Sequence, residues 1–200
     1  MVDTGERIIY GKTPLNAAHA IPAAMREGFT AIVGGHIGVA AGLVKFRRRL
    51  DEVDDYAMWA VSAREKRIPD LTGLDAAGLH AVACEAIRSW HPDIRALLAA
   101  ADVDETFLVR VRVSRRVAAW PSSRVTLLGD AIHAMSPARG SGANTALLDA
   151  AVLCAALTGK TTIDAYEDSM RTYGFASVEA ADSPARPTAW GHLRTLLRRG

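Results

Sequence analysis

The chain has 200 residues, 50% of them hydrophobic and 23% charged, with a formal net charge of +2. This is enough apolar material for a core in one domain or two small ones. The charge is too mild, and too free of dense basic blocks, to suggest a nucleic-acid surface. The amino terminus, MVDTGERIIYGK, has early charges and no apolar centre, so it does not read as a signal peptide. The longest apolar runs, such as AAVLCAAL, are far too short to span a bilayer. Neither nucleic acid nor membrane is therefore expected as a partner. Cys84 and Cys154 lie in apolar helical patterns, which predicts reduced, buried thiols in a cytoplasmic protein, with no disulfide or metal role.

In chain order, ERIIYGKTPLNAAHAIPAAMREG, interrupted by Pro14 and Pro22, predicts a strand end, a loop and a short helix. Three strand-like runs follow: FTAIVGG, IGVAAGLVKF and YAMWAVSA. The charged stretch RRRLDEVDD between the second and third predicts a solvated hairpin connection. Short connections make antiparallel pairing the simplest topology. Leu79, Val82, Ala83, Ala86, Ile87 and Trp90 recur at helical spacing, and a shorter helix with Ile94, Leu97 and Leu98 follows Pro92. TFLVRVRVSRR alternates, with Phe107, Val109, Val111 and Val113 on the face expected to be buried, and Arg110 and Arg112 on the other. RVTLLG predicts a short buried strand. ANTALLDAAVLCAAL is apolar nearly all round, which predicts a buried helix. Thr162 is placed to cap a further helix, acidic in its first turns, with Ile163, Tyr166, Met170 and Tyr173 as its apolar stripe. Glu167 and Arg171 are spaced for an i, i+4 ion pair. After SPARP, TAWGHLRTLLRRG predicts a last basic amphipathic helix.

The stretch LLGDAIHAMSPARGSGANTALLDA carries the chemistry. A strand-like run ends at Gly129, where a missing side chain allows close approach. Asp130 then stands where many α/β folds bind ligands. Its carboxylate can accept hydrogen bonds from ligand hydroxyls. Pro137 stiffens the following loop, Gly140 and Gly142 let it turn, and Ala143-Asn144 begins a helix with unpaired N–H groups. A ligand with hydroxyls in the middle and partial negative charge at one end would fit. No phosphate loop of the Gly-x-x-x-x-Gly-Lys-Ser/Thr type is present. A Gly-x-Gly-x-x-Gly is also absent, since Thr145 stands at the third position after Gly140 and Gly142. The glycines of GGHIGVAAG have the wrong spacing and suit tight strand packing.

Gly129-Asp130-x-x-His133, Pro137, Gly140-x-Gly142-x-Asn144 and Asp149-Ala150 resemble the second flavin-binding motif of FAD-dependent aromatic-hydroxylase-type monooxygenases, the salicylate and para-hydroxybenzoate hydroxylase group. YGKTPL, YAMWAVSA, the tryptophan before RVTLLGDAIH, and YEDSMRTYG fall in the order that family shows, so the resemblance covers nearly the whole chain. It implies that Asp130 binds the ribityl hydroxyls of FAD. The Pro137–Asn144 loop and helix start would hold the flavin's pyrimidine edge, where N–H groups and the helix dipole stabilise negative charge. It further implies NAD(P)H as electron donor, O2 as oxidant and a small organic, aromatic substrate. The expected cofactor contacts are Gly129, Asp130, Pro137, Gly140, Gly142, Ala143 and Asn144; no catalytic acid or base stands out.

The resemblance implies an α/β fold: an incomplete FAD-binding, glutathione-reductase-like fold with an antiparallel substrate-domain sheet and carboxy-terminal helices. Residues 1–115 would form the substrate-domain sheet and helices, and 116–200 the last part of the FAD-binding domain. The family's Rossmann half, with its Gly-x-Gly-x-x-Gly, has no match here, and the chain starts near ERIIYGKTPL in the family's order. Three expectations stay open: a truncated enzyme, a second chain supplying that half, or a reduced protein with a changed function, such as a non-catalytic flavin-fold remnant acting as a binding module. Without the missing half, RVTLLG would lack strand neighbours and apolar surface would be exposed.

Blander roles are expected elsewhere. Asp130 and His133 lack further ligands for a metal site. Ser141 lacks a nucleophile elbow. His133 suits loop positioning better than acid–base work. Trp59 and Met58 fit core and substrate pocket equally, and Arg110 and Arg112 fit an exposed strand face. His19, His36, His80, His91 and His192 form no constellation.

Overall fold

The computed structural model describes residues 1–15, 25, 28–48 and 54–182. Five strands come first among the named elements: β1 (Val2–Pro14), β2 (Thr30–Gly34), β3 (Ile37–Val44), β4 (Tyr56–Arg64) and, after helices α1 (Ala76–Ala86) and α2 (Pro92–Ala99), β5 (Asp102–Val113). Three helices follow: α3 (Asp130–His133), α4 (Gly142–Leu157) and α5 (Ile163–Asp182). The chain divides into two compact units. Of the described residues, one unit holds those of Gly5–Arg110, and the other holds Met1–Thr4 and Val111–Asp182.

The Gly5–Arg110 unit is built on a sheet of order β2-β3-β4-β1-β5. β2–β3, β3–β4 and β4–β1 pair antiparallel, as the short connections predicted. Tyr10 stacks on Phe107 and Lys12 reaches Glu105, so β5 also runs against β1. Every second residue points to one face, and there Ile9, Val39, Ala41, Trp59 and Val61 meet Leu79, Ala83, Leu97 and Leu98 of the helices in one core. Thr13, fully buried, donates its hydroxyl to Leu97 O at 2.7 Å. Gly11 lies opposite Trp59, and a Cβ there would come 2.1 Å from the indole, so only glycine lets the ring cross β1. The glycines of GGHIGVAAG serve strand packing as expected: a Cβ at Gly34 would strike Trp90, and one at Gly38 would strike Ser62.

Two expectations for these strands need correction. β1 is a full strand of 13 residues, not a strand end. It lies between β4 and β5, and ladder bonds on both edges hold polar residues and glycines that have little strand preference of their own. β5 does not bury one continuous face. Within the first unit it buries Thr106, and Leu108 packs on the core, while Phe107 is exposed; in the second unit Val111 is buried. A strand shared by two units answers to two cores. Arg110 and Arg112 are exposed, as expected.

In the other unit Ile132, Ala156, Tyr166, Met170, Phe175 and Val178 form the core, with Val113 and Trp120 packed against it. Thr162 caps α5 by accepting from Ala165 N–H. RVTLLG is not a strand: residues 124–128 have no regular structure, and Val125 is 71% exposed. No described strand lies beside it to supply ladder bonds, and apolar surface stands open as anticipated. α4 is not buried all round either. Its inward positions are Thr145, Asp149 and Ala156, while Leu147, Leu148, Leu157 and Cys154 face outward. Cys154 is therefore an exposed thiol and Cys84 a half-buried one.

The Glu167–Arg171 pair does not form as expected. Glu167 is buried and accepts from Trp120 Nε1 at 3.1 Å and Ser122 Oγ at 2.9 Å. Arg171 instead pairs with Asp168 and lies over the Trp120 ring. A buried carboxylate is best satisfied by donors that come in with it, and the tryptophan supplies one. The short helix expected before Phe29 lies outside the described residues, apart from helical, buried Met25. So do most of the RRRLDEVDD connection, SPARP and the final amphipathic helix. Among the described residues, no helix is long and apolar enough to cross a membrane.

Candidate functional site

All the cofactor contacts expected from the sequence lie in the unit that begins at Val111. Gly129 precedes α3 with φ 58° and ψ −141°, a backbone conformation strained for any side-chain-bearing residue. A Cβ there would also sit 3.2 Å from the Cβ of Ala146, so the turn lies directly against α4. Asp130 is the first residue of α3 and is exposed. The chain leaves α3 at Ala134 and, three residues later, enters a 3-10 turn, Pro137–Arg139, whose first position is Pro137. Ser136 caps that turn by accepting from Ala138 N–H. Gly140 then takes the left-handed conformation, φ 62° and ψ 19°. Nothing lies within 4 Å of the place its Cβ would take.

Gly142 opens α4, with Ala143 and Asn144 exposed in its first turn. No side chain caps this helix, and its first internal bond is Thr145 N–H to Ser141 O at 3.0 Å. The first-turn N–H groups, with the positive end of the helix dipole, are thus left to a ligand or solvent. The turn at Gly129-Asp130 and this helix start lie on abutting segments. An exposed carboxylate and an uncapped helix end together suit a polyhydroxylated ligand with an electron-rich terminus. Ser141 reaches only Met135 Sδ, consistent with a loop serine.

Beneath the loop lies a buried polar network. Asp149, fully buried on α4, accepts from Gly129 N–H at 2.6 Å and pairs with His133 Nε2 at 2.7 Å, both through Oδ2. Its Oδ1 accepts from Tyr173 O–H at 2.6 Å. Because a carboxylate only accepts, His133 Nε2 carries a proton in this pair. The His133 ring lies against Gly174, where a Cβ would come 2.5 Å from it. His133 thus has the positioning place expected for it. Burial, with help from the bond to Asp149, pushes the Tyr173 phenol above its usual range. Tyr166 donates to Leu127 O at 2.7 Å; burial, then the negative charge of Asp149 and Glu167, pushes its phenol up to about 12.

Asp149 was not among the expected contacts. A signal for it exists: one acid inside the otherwise apolar ALLDAAVLCAAL has to find donors wherever it is buried. Trp59 is fully buried in the other unit's core, and Met58 is half-exposed. His80 binds Leu98 O and lies by Cys84, while His91 accepts from Asp93 N–H at the start of α2. Among the described residues, no group of His, Cys, Asp and Glu could hold a metal.

A family model described as an FAD binding domain matches residues 81–183, just over half of the chain and the whole of the loop described above. Among characterised relatives, the dual O-methyltransferase/FAD-dependent monooxygenase elcB of Phaeosphaeria nodorum is 32% identical over 162 residues, 70% of this chain and 17% of that protein. The corresponding dual enzyme CTB3 of Cercospora beticola is 35% identical over 136 residues, 59% of this chain and 16% of that protein. Of solved structures, a protein from Photorhabdus luminescens described as an FAD containing monooxygenase superposes with a TM-score of 0.71 at 29% identity, covering 90% of this chain and 54% of that one. Klebsiella pneumoniae HpxO, solved with FAD and uric acid, shares the fold at a TM-score of 0.70 and 23% identity, with 43% of its chain covered. The chain spans less than a fifth of these curated relatives and about half of these solved chains. Its mixed helix and antiparallel-sheet fold is that of FAD-dependent monooxygenase structures, and the family match does not favour the binding-module reading. The chain belongs to the FAD-binding-domain family of FAD-dependent monooxygenases.

Proposed function

We propose that these residues form the flavin-ring side of an FAD-dependent monooxygenase that hydroxylates a small organic, aromatic substrate with NAD(P)H and O2. The observation that carries this reading is the exposed Asp130 beside the uncapped start of α4, within one unit. The residues present fit the cofactor. Asp130 accepts hydrogen bonds from ribityl hydroxyls, and the open backbone of Gly129 lets the chain approach closely. Pro137 and Gly140 shape the loop, and Gly142, Ala143 and Asn144 offer N–H groups and the dipole end to the pyrimidine edge. When bound, FAD would supply the redox chemistry by which electrons from NAD(P)H activate O2, one oxygen atom entering the substrate and the other leaving as water. The chain's own contribution is to bind and orient the ring and to favour negative charge at that edge.

The fold we assign is the latter part of a glutathione-reductase-like FAD-binding fold joined to a substrate-domain sheet, with residues 1–115 and 116–200 as its portions, in a cytoplasmic protein. Further polypeptide, whether of the same chain or of another, supplies the Gly-x-Gly-x-x-Gly that these 200 residues lack. The exposed Val125, Leu127 and Leu128, on a stretch with no described strand beside it, favour that reading. The test is the visible spectrum of the full chain after incubation with excess FAD and gel filtration, repeated with a family Rossmann half supplied in trans. Protein-bound flavin is expected with the added half, and Asp130→Ala should weaken binding about ten- to a hundredfold, the loss of a charged hydrogen-bond acceptor. Flavin binding unaffected by Asp130→Ala would overturn the assignment.

A further inference from the structure

We infer that Asp149 is the positioning residue of the flavin-contacting turn: from its buried place on α4 it holds α3 at both ends and so fixes where Asp130 stands. The inference rests on the assignment of Asp130 made above. Helix α3 is only four residues long and cannot hold its own orientation. The same oxygen, Asp149 Oδ2, takes the N–H of Gly129 before the helix and Nε2 of His133 at its last residue. The clamp is set in turn. Tyr173 occupies Oδ1, which stops the carboxylate from rotating. Ala146 leaves no slack behind Gly129, and Gly174 lets the His133 ring close onto α5. Asp130 is the first residue after the clamped N–H, with its own side chain left to the exterior. Three donors converge on Asp149, and the ionised carboxylate accepts from all of them. An amide could keep Gly129 and His133 only by turning its NH2 to Tyr173, whose hydroxyl would then have to accept, and it gives up the charge that strengthens the bond to Gly129.

The test uses the full chain in two measurements. In flavin-free protein, the Gly129 amide is followed by hydrogen exchange in NMR. In Asp149→Asn its exchange should quicken by about ten- to a hundredfold, the loss of a charge-assisted bond, while amides of Met170 and Phe175 keep their protection. In parallel, FAD is titrated into the wild type, Asp130→Ala, Asp149→Asn and the double variant, with the Rossmann half supplied where the flavin needs it. Asp149→Asn should lower FAD affinity, and the double variant should bind no more weakly than Asp130→Ala alone, because both act through one contact. A merely structural role would instead add its loss to that of Asp130→Ala. An unchanged Gly129 amide, or additive losses, overturns the inference. If Asp130→Ala leaves affinity unchanged, the flavin role of Asp130 fails, and the amide still reports whether Asp149 holds the turn, so the two failures are told apart. Should Asp149→Asn not fold, Tyr173→Phe removes only the Oδ1 bond. Gly129 exchange should then quicken about fivefold, because the carboxylate freed on that side holds the turn less firmly, and unaltered exchange counts against the clamp.

Discussion

At the scale of single residues, the exposed side of the loop could be read directly, whereas the buried side could not. Gly129, Pro137, Gly140 and Gly142 announce themselves because each relaxes or fixes the backbone locally. Tyr166 and Tyr173 looked like members of an apolar stripe, yet each hydroxyl serves a distant acceptor. The phenol of Tyr166 has a titration consequence. Its ordinary value is 10.0 and its folded value about 12, so the native chain keeps a proton that the unfolded chain gives up. Its contribution to stability is fully present below pH 10 and is lost as pH rises from about 10 to about 12. Urea midpoints measured across that range should fall, and Tyr166→Phe should show a shallower fall.

At the scale of elements, period decided what was legible. Strands β2, β3 and β4 and the two helices after Leu74 alternate or recur because one face of each meets a single core, and they lie where the pattern put them. Helix α4 misled because composition is not orientation. Its buried line runs through Thr145, Asp149 and Ala156, while Leu147, Leu148 and Leu157 look outward. An all-apolar surface hides which side is inside. The assignment is open to a direct contrast. Leu147→Glu, at a position 68% exposed, should change stability by no more than about 0.5 kcal/mol. Ala156→Glu, only 9% exposed, should cost at least about 3 kcal/mol by burying an unpaired charge. Urea unfolding of both variants decides it. RVTLLG was misread for a related reason: its residues suit a strand, but a strand also needs a neighbour, and none is described beside it.

At the scale of the whole chain, the two units differ in how much of themselves they cover. The sheet unit closes a core of sixteen buried residues, counted among the described ones, between strands and helices. Among the described residues the core cluster of the helical unit holds six, and Val117, Val125, Leu127, Leu128, Leu147, Leu148 and Leu157 are exposed. Apolar surface of that kind binds partners or dyes. The isolated chain should therefore enhance the emission of an environment-sensitive apolar dye in native buffer and self-associate as concentration rises. Lysine substitutions at Val125 and Leu157 should reduce both effects without shifting the unfolding midpoint. A chain that remains dye-silent and monomeric would mean that this surface is covered.

The buried carboxylate has a consequence for how the chain comes together. Its partners lie 16, 20 and 24 residues away, which are short loops to close. No two of the segments that meet there can settle without leaving a donor stranded, so α3, the middle of α4 and the middle of α5 should order in one step. In the intact chain, amides across these three stretches should then open together, as one cooperative block, and breaking the carboxylate's bonds should release the turn before α3 from it.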